Sequence, residues 1–133
     1  MAAQWAEDIP LTDGDAARLI AGQFPALAPA RLESLGVGWD NRSFLVDGRV
    51  VFRFPRRRIA AALLEREARV LPLLAPQLPL PIPVPRWLGR PTADYPAPFA
   101  GYPYLPGRTA CRWPCTEVDR LALAPALAGF LAA

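Results

Sequence analysis

The sequence predicts an α+β fold in which helices pack on an antiparallel sheet. Two groups of short strand-like segments occur, a meander of three near residues 31–54 and a pair between residues 86 and 106. An Asp47-Gly48 dipeptide between two alternating runs is a strong hairpin signal. Helical segments stand before, between and after these groups, giving the order helix, meander, helix, extended linker, two strands, turn, helix.

Residues 12–24, "TDGDAARLIAGQF", read as the first helix. Thr12 or Asp13 can cap it, and Ala17, Leu19, Ile20 and Phe24 form its apolar side. "PALAP" breaks the chain. "ARLESLG" is a strand leading into "GVGWDN", residues Gly36 to Asn41. "SFLV" and "RVVFRF" are the next two strands, and Pro55 with Arg56, Arg57 and Arg58 ends them. A helix starts near Ile59, and Pro72 is expected to kink or stop it. Residues 72–106 hold 11 of the 17 prolines, so "PQLPLPIPVP" is extended. Such a tract can be a ligand for proline-binding domains. Its position between a helix and a strand favours an ordered connector. "PRWLG" and "PFAGYPYLPG" are strands, and a last helix runs from about Glu117 to Ala133.

A chain of 133 residues suffices for one domain with a modest core. With 53% hydrophobic and 20% charged residues it should fold and be soluble. No apolar run approaches the roughly 20 residues of a membrane span. Met1 to Pro10 show neither a basic nor an apolar leader region, so a cytoplasmic location is expected. All 15 basic residues are Arg, and the net charge is only +3. Arg56 to Arg58 form the sole basic cluster and read as a solvated turn. Without interleaved aromatics they do not suggest nucleic acid. Cys111 and Cys115, in "CRWPC", lack the partners a zinc site needs and read as free thiols. With no His in the chain, Ser-His and Cys-His catalysis are excluded.

"GVGWDN" raises the question of a phosphate loop. A P-loop needs Lys, and the chain has none. A dinucleotide fingerprint runs from strand into helix, whereas here strand, turn and strand follow. What remains is a glycine-rich hairpin of the kind that covers nucleotide phosphates, or a tight turn that binds nothing. Two charges bear on the choice. Val50, Phe52 and Phe54 share one strand face, and Val51 and Arg53 the other, so Arg53 is a cation inside an apolar strand. On the following helix Leu63, Leu64, Val70, Leu71 and Leu74 lie within about 60° of Glu67 at 100° per residue. A buried Glu67 would need a partner, and Arg53 is the natural one. The pair either holds nucleotide phosphates, as in kinases, or only joins helix to sheet.

At these residues the sequence resembles the N-terminal lobe of the aminoglycoside phosphotransferase family, which has a protein-kinase-like fold. The likeness rests on "GVGWDNRSFLVDGRVVFRFPRR", "LLEREARVLPLLAPQLPLPIPVPRWLG" and "GYPYLPG", and covers the chain from about Arg31 onward. It implies an antiparallel sheet with a packed αC-type helix, and a missing C-terminal lobe. It also implies a nucleotide-binding lobe over residues 1–106, of which 1–30 are a helical extension, followed by a post-hinge segment and the start of a truncated helix over 107–133. By the same likeness Gly36, Gly38, Trp39, Asp40 and Asn41 cover the nucleotide, Arg53 holds its phosphates and Glu67 steadies Arg53. The family often has Lys at the Arg53 position, and Arg grips with a different, bidentate geometry. Pro103, Tyr104 and Leu105 match the hinge that holds the base. Pro103 has no N–H, so Tyr104 or Leu105 must donate.

The resemblance implies ATP or GTP with Mg2+ as the bound nucleotide, and a small hydroxylated acceptor once a C-terminal lobe is present. The family's catalytic loop resembles His-Gly-Asp-x-x-x-x-Asn followed by a metal-binding Asp. Here the only Asn is Asn41, and after Glu67 the only acids are Asp94, Glu117 and Asp119. No catalytic or metal-binding residue is therefore assigned, and the chain is expected to be truncated and inactive alone. Related readings are a lobe of a kinase for choline, homoserine, a macrolide or a sugar amine, and a non-catalytic interaction protein that keeps only the lobe. The apolar side of the last helix is expected to support self-association.

Overall fold

A computed structural model describes residues 6–133; residues 1–5, which open the expected N-terminal extension, lie outside the described residues. Helix α1 (Asp13–Gln23) begins at Thr12, whose hydroxyl accepts from the Asp15 N–H while the Asp15 carboxylate accepts from the Thr12 N–H. This reciprocal box satisfies two otherwise orphaned donors and makes Thr12, not Asp13, the cap. Strands β1 (Leu32–Val37), β2 (Asn41–Val46) and β3 (Val50–Pro55) follow, then α2 (Arg58–Leu74), β4 (Trp87–Gly89), β5 (Phe99–Pro103) and α3 (Glu117–Ala132). The strands form one antiparallel sheet in the order β1-β2-β3-β5-β4. The expected α+β class and antiparallel sheet are those observed.

The β2–β3 turn places Asp47 at φ 49° and Gly48 at φ 67°, the positive values that an Asp-Gly pair accepts readily. The alternation of β3 then sorts the two faces. Val50, Phe52 and Phe54 go into the main core with Phe44, Val46, Tyr95, Phe99 and α1 residues Ala16 and Ile20. Its centre is aromatic: Phe54 stacks on Phe99 with centroids 4.6 Å apart and planes 13° apart. The segment expected as an extension thus supplies part of the core of the sheet. The opposite face carries Val51 and Arg53 of β3 with Ala100 and Tyr102 of β5, and Leu64 and Leu71 of α2 pack there.

Two expectations change, and a third is refined. The α2 helix runs through Pro72 to Leu74 before a short 3-10 turn over Ala75–Gln77. Pro72 sits in the last turn, where only one backbone hydrogen bond is lost. Glu67 is not buried: its side chain is 46% exposed, and Leu63, Val70 and Leu74 of the expected apolar stripe are exposed too, because only the Leu64 and Leu71 edge of α2 packs on the sheet. The apolar side expected on α3 is narrow and uncovered: Leu123, Leu127 and Leu131 recur every four residues and are all exposed, while Val118 and Leu121, also exposed, fall on other sides of the helix. No described helix is long and apolar enough to cross a membrane.

Candidate functional site

The α2-bearing face of the sheet holds a concavity of about 180 Å³ lined by Val51, Arg53, Pro83, Tyr102, Pro103, Tyr104 and Leu105. Strand pairing builds it. Val51 lies opposite Tyr102 and Val50 opposite Pro103, so the end of β5 delivers residues 103–105 beside the start of β3. The Tyr104 N–H donates to Arg49 O at 2.8 Å, which ties the chain leaving β5 back to the hairpin. Of the two expected hinge donors Tyr104 is therefore already engaged, and Leu105 is 40% exposed at the mouth.

Arg53 points into this concavity. Its Nη1 stands 3.8 Å from Glu67 Oε2, one loose contact between side chains 36% and 46% exposed. Such a pair is solvent-screened and contributes little by itself. Arg53 Cζ also lies 4.9 Å from the centroid of the Tyr102 ring. Tyr102 is buried, and its hydroxyl has no hydrogen-bond partner among the described residues. Burial raises the Tyr102 pKa above the usual value; the Arg53 charge opposes that shift and Glu67 adds to it.

The glycine loop is built differently from what its sequence suggests. Gly36 has φ 118° at a break in the β1–β2 register, a conformation that favours glycine. Gly38 has no such need. Its N–H donates to Asn41 O at 2.9 Å and closes the turn. Trp39 stands 67% exposed at the tip, and Asn41 opens β2 opposite Pro55. None of residues 36–41 lines the concavity.

The loop is instead held by the arginines that follow β3. Arg56 Nη1 donates to Gly38 O at 3.0 Å, and the Arg56 N–H donates to Asp40 O at 2.8 Å. Arg57 pairs with the Asp40 carboxylate, and Arg56 Nε stands 3.5 Å from Glu7. The expected solvated turn is thus a clasp formed by Arg56 and Arg57; of the three, Arg58 alone remains exposed. Spacing could not show this, because Asp40 and Arg57 meet only after the β2–β3 hairpin folds back.

The structure therefore brings together Arg53, Glu67, Pro103, Tyr104 and Leu105, and places Gly36 at the end of β1, Asn41 at the start of β2 and Gly38 to Asp40 in a braced turn between them, outside the concavity. Sequence reasoning missed Val51, Pro83 and Tyr102. Val51 and Tyr102 were marked by alternation, each sharing a face with a charged or small neighbour; nothing singled out Pro83 among the prolines.

A profile described as the phosphotransferase enzyme family matches residues 31–133. The chain belongs to this family. Among solved structures, the GDP complex of wild-type aminoglycoside 2'-phosphotransferase-IIIa shares 34% identity with a TM-score of 0.78, over 92% of this chain and 41% of that one. The GDP and kanamycin complex of APH(2")-IIIa shares 34% identity with a TM-score of 0.74, over 88% and 40%. The apoenzyme of macrolide 2'-phosphotransferase MphH from Brachybacterium faecium shares 27% identity with a TM-score of 0.52, over 69% and 30%. No curated protein matches. The chain thus spans 40–41% of the length of the first two family members. The five-stranded sheet with its packed helix is the kinase-like N-terminal lobe of these phosphotransferases.

Proposed function

We propose that this chain is the nucleotide-binding lobe of a small-molecule phosphotransferase, which takes the γ-phosphate of ATP or GTP to a hydroxyl of an aminoglycoside or a similar acceptor. The observation that carries this reading is the joining, in one concavity, of a fixed cation at Arg53 with the edge of the chain at Leu105. Val51 and Pro83 offer apolar walls for a purine, the Leu105 N–H a donor for its edge, and Arg53 a bidentate grip on phosphate oxygens. The GDP and ATP complexes of structural neighbours support a nucleotide as the ligand.

The glycine turn, braced by Arg56 and Arg57, stands outside the concavity, and in this reading it meets the phosphates that extend beyond Arg53. Among the described residues no group of three or more His, Cys, Asp or Glu lies together to hold a metal. Magnesium does not fit this chain's own side chains and would come with the phosphates or with further polypeptide. The 133 residues include no His and no second Asn, so a catalytic loop of the family type must also be supplied from elsewhere. The acceptor is chosen by that second part, and a macrolide or another hydroxylated compound fits this lobe equally well.

Calorimetric titration of the purified chain with MgATP and MgGTP tests the proposal. We expect saturable binding that Arg53→Ala weakens by about tenfold or more, the worth of a charge-assisted hydrogen bond to phosphate. A folded chain that binds neither nucleotide would sink the nucleotide reading. Phosphoryl transfer by this chain alone would sink the claim that a second part is needed.

A further inference from the structure

Arg53 reaches its position by the geometry of β5. Directly opposite it on the same face stands Ala100, and Tyr102 is the diagonal neighbour two residues along. Ala100 is too small to occupy the space above itself. The guanidinium can therefore lean along the strand and lie 4.9 Å from the centroid of the Tyr102 ring. That ring is fully enclosed, held by Leu64 and Leu71 of α2. The Glu67 contact, at 3.8 Å, is single and solvated by comparison, between side chains 36% and 46% exposed.

We propose that Tyr102 is the positioning residue for Arg53: its buried ring seats the guanidinium toward the concavity, and it sets the aim of that cation more than Glu67 does. The inference rests on the nucleotide reading above for its consequence, though not for its geometry. A planar guanidinium stacks on an aromatic face where an ammonium does not lie flat, so Arg at position 53 and Tyr at position 102 belong together. The ring carries the effect. The hydroxyl makes no hydrogen bond among the described residues, so its removal should change little.

Two readouts separate this inference from the nucleotide reading. The first is the proton NMR shift of the Arg53 side chain without nucleotide. Ring current from Tyr102 should move its δ and ε protons upfield in the parent chain and in Tyr102→Phe, and that shift should vanish in Tyr102→Leu. Random-coil shifts for Arg53 in the folded parent chain overturn the proposal whatever binds. The second is affinity for MgATP and MgGTP by calorimetry. Tyr102→Phe should bind within about twofold of the parent and Tyr102→Leu about tenfold more weakly, as loss of a partly desolvated cation–π contact implies. Glu67→Gln should lose less than Tyr102→Leu.

Arg53→Lys keeps the charge without the flat stack and should also weaken binding, and adding Tyr102→Leu to it should cost little more. Folded Tyr102→Leu binding like the parent, or fully additive losses in the double variant, overturns the proposal. Should Tyr102→Leu not fold, Arg53→Lys decides: parent-like affinity refutes the seat, and weakened affinity with the ring-current shift intact in Tyr102→Phe supports it. No binding by the folded parent is a failure of the nucleotide reading, and the NMR shift still tests the seat.

Discussion

Arg56 and Gly38 stand 18 residues apart in sequence and meet through one hydrogen bond, Nη1 donating to the Gly38 carbonyl at 3.0 Å. The bond crosses from the end of β3 to the turn before β2, and Arg57 with Asp40 runs beside it. A turn whose glycine at position 36 needs a positive φ gains its definition from outside itself. Two arginines supply it.

Removing that clasp should loosen the turn more than the domain. Arg56→Ala is expected to speed hydrogen exchange of the Gly38 to Asn41 amides about fivefold, since a partly exposed charged donor contributes about 1 kcal/mol. The global melting midpoint should move by only a few degrees. Unchanged exchange in that turn would show that Arg56 only decorates it.

Two glycines are required for space. A Cβ at Gly89 would lie 2.3 Å from the Phe99 ring, and one at Gly101 would lie 2.7 Å from the Phe52 ring. Both rings are fully buried and cannot swing away without disturbing the aromatic stack. Gly89→Ala and Gly101→Ala should each destabilise by about 1–3 kcal/mol in urea unfolding, as overpacking does. Gly22→Ala is the control: nothing lies within 4 Å of its Cβ and it is helical, so it should be neutral or stabilising.

Tyr95 predicts the alkaline limit. Its hydroxyl donates to Pro55 O at 2.7 Å in the core, and burial, with the Glu7 charge adding, raises its pKa well above the ordinary 10.0. The neutral form is thus favoured in the folded state only. Its contribution is complete below pH 10 and is lost as pH climbs toward the folded value. Tyr95→Phe should be less stable at neutral pH by about 1 kcal/mol, because a buried carbonyl loses its partner. It should also lose less stability above pH 10, so melting midpoints followed from neutral to alkaline pH should converge. Tyr102, raised by burial as well, should add to the alkaline loss that remains in Tyr95→Phe.

Asp15 acts at the other end of the scale. The Thr12 hydroxyl and Thr12 N–H both donate to its carboxylate, which lowers its pKa below the ordinary 3.8. A depressed carboxylate stabilises the folded state above that ordinary value and ceases to as pH falls through the lower one. Comparing Asp15→Asn with the parent, the gap in melting midpoint should stay constant at neutral pH and close in strong acid. A gap that persists in acid would mean the box does not depend on the charge.

Much of the sheet is legible in the sequence. Asp47-Gly48 marks the hairpin because few other pairs accept two positive φ values, and the alternation of Val50 to Phe54 sorts the faces correctly. The end of β5 at Pro103, where the hinge is expected, can be found because the turn residues Pro106 and Gly107 follow it. Glu67 shows where pattern reading fails. Its helical position does lie between Leu64 and Leu71, but burial depends on what covers that side of the helix, and Leu63, Val70 and Leu74 beside it are exposed as well. Arg56 and Arg57 mislead for a related reason: a run of like charges looks solvated until the residues that fold against it are known.

By itself the sequence determined the class of the fold, the order of its elements, the hairpin at Asp47-Gly48 and the place of the one cation inside β3, because these follow from local dihedral preferences and side-chain period. The tertiary structure decided what each polar group meets. Ala100 beneath Arg53 opens a path to the Tyr102 ring, Arg49 occupies the Tyr104 N–H, and Gly38 is held by Arg56. Those contacts join residues distant in sequence, and only the strand register and the helix packing bring them within reach.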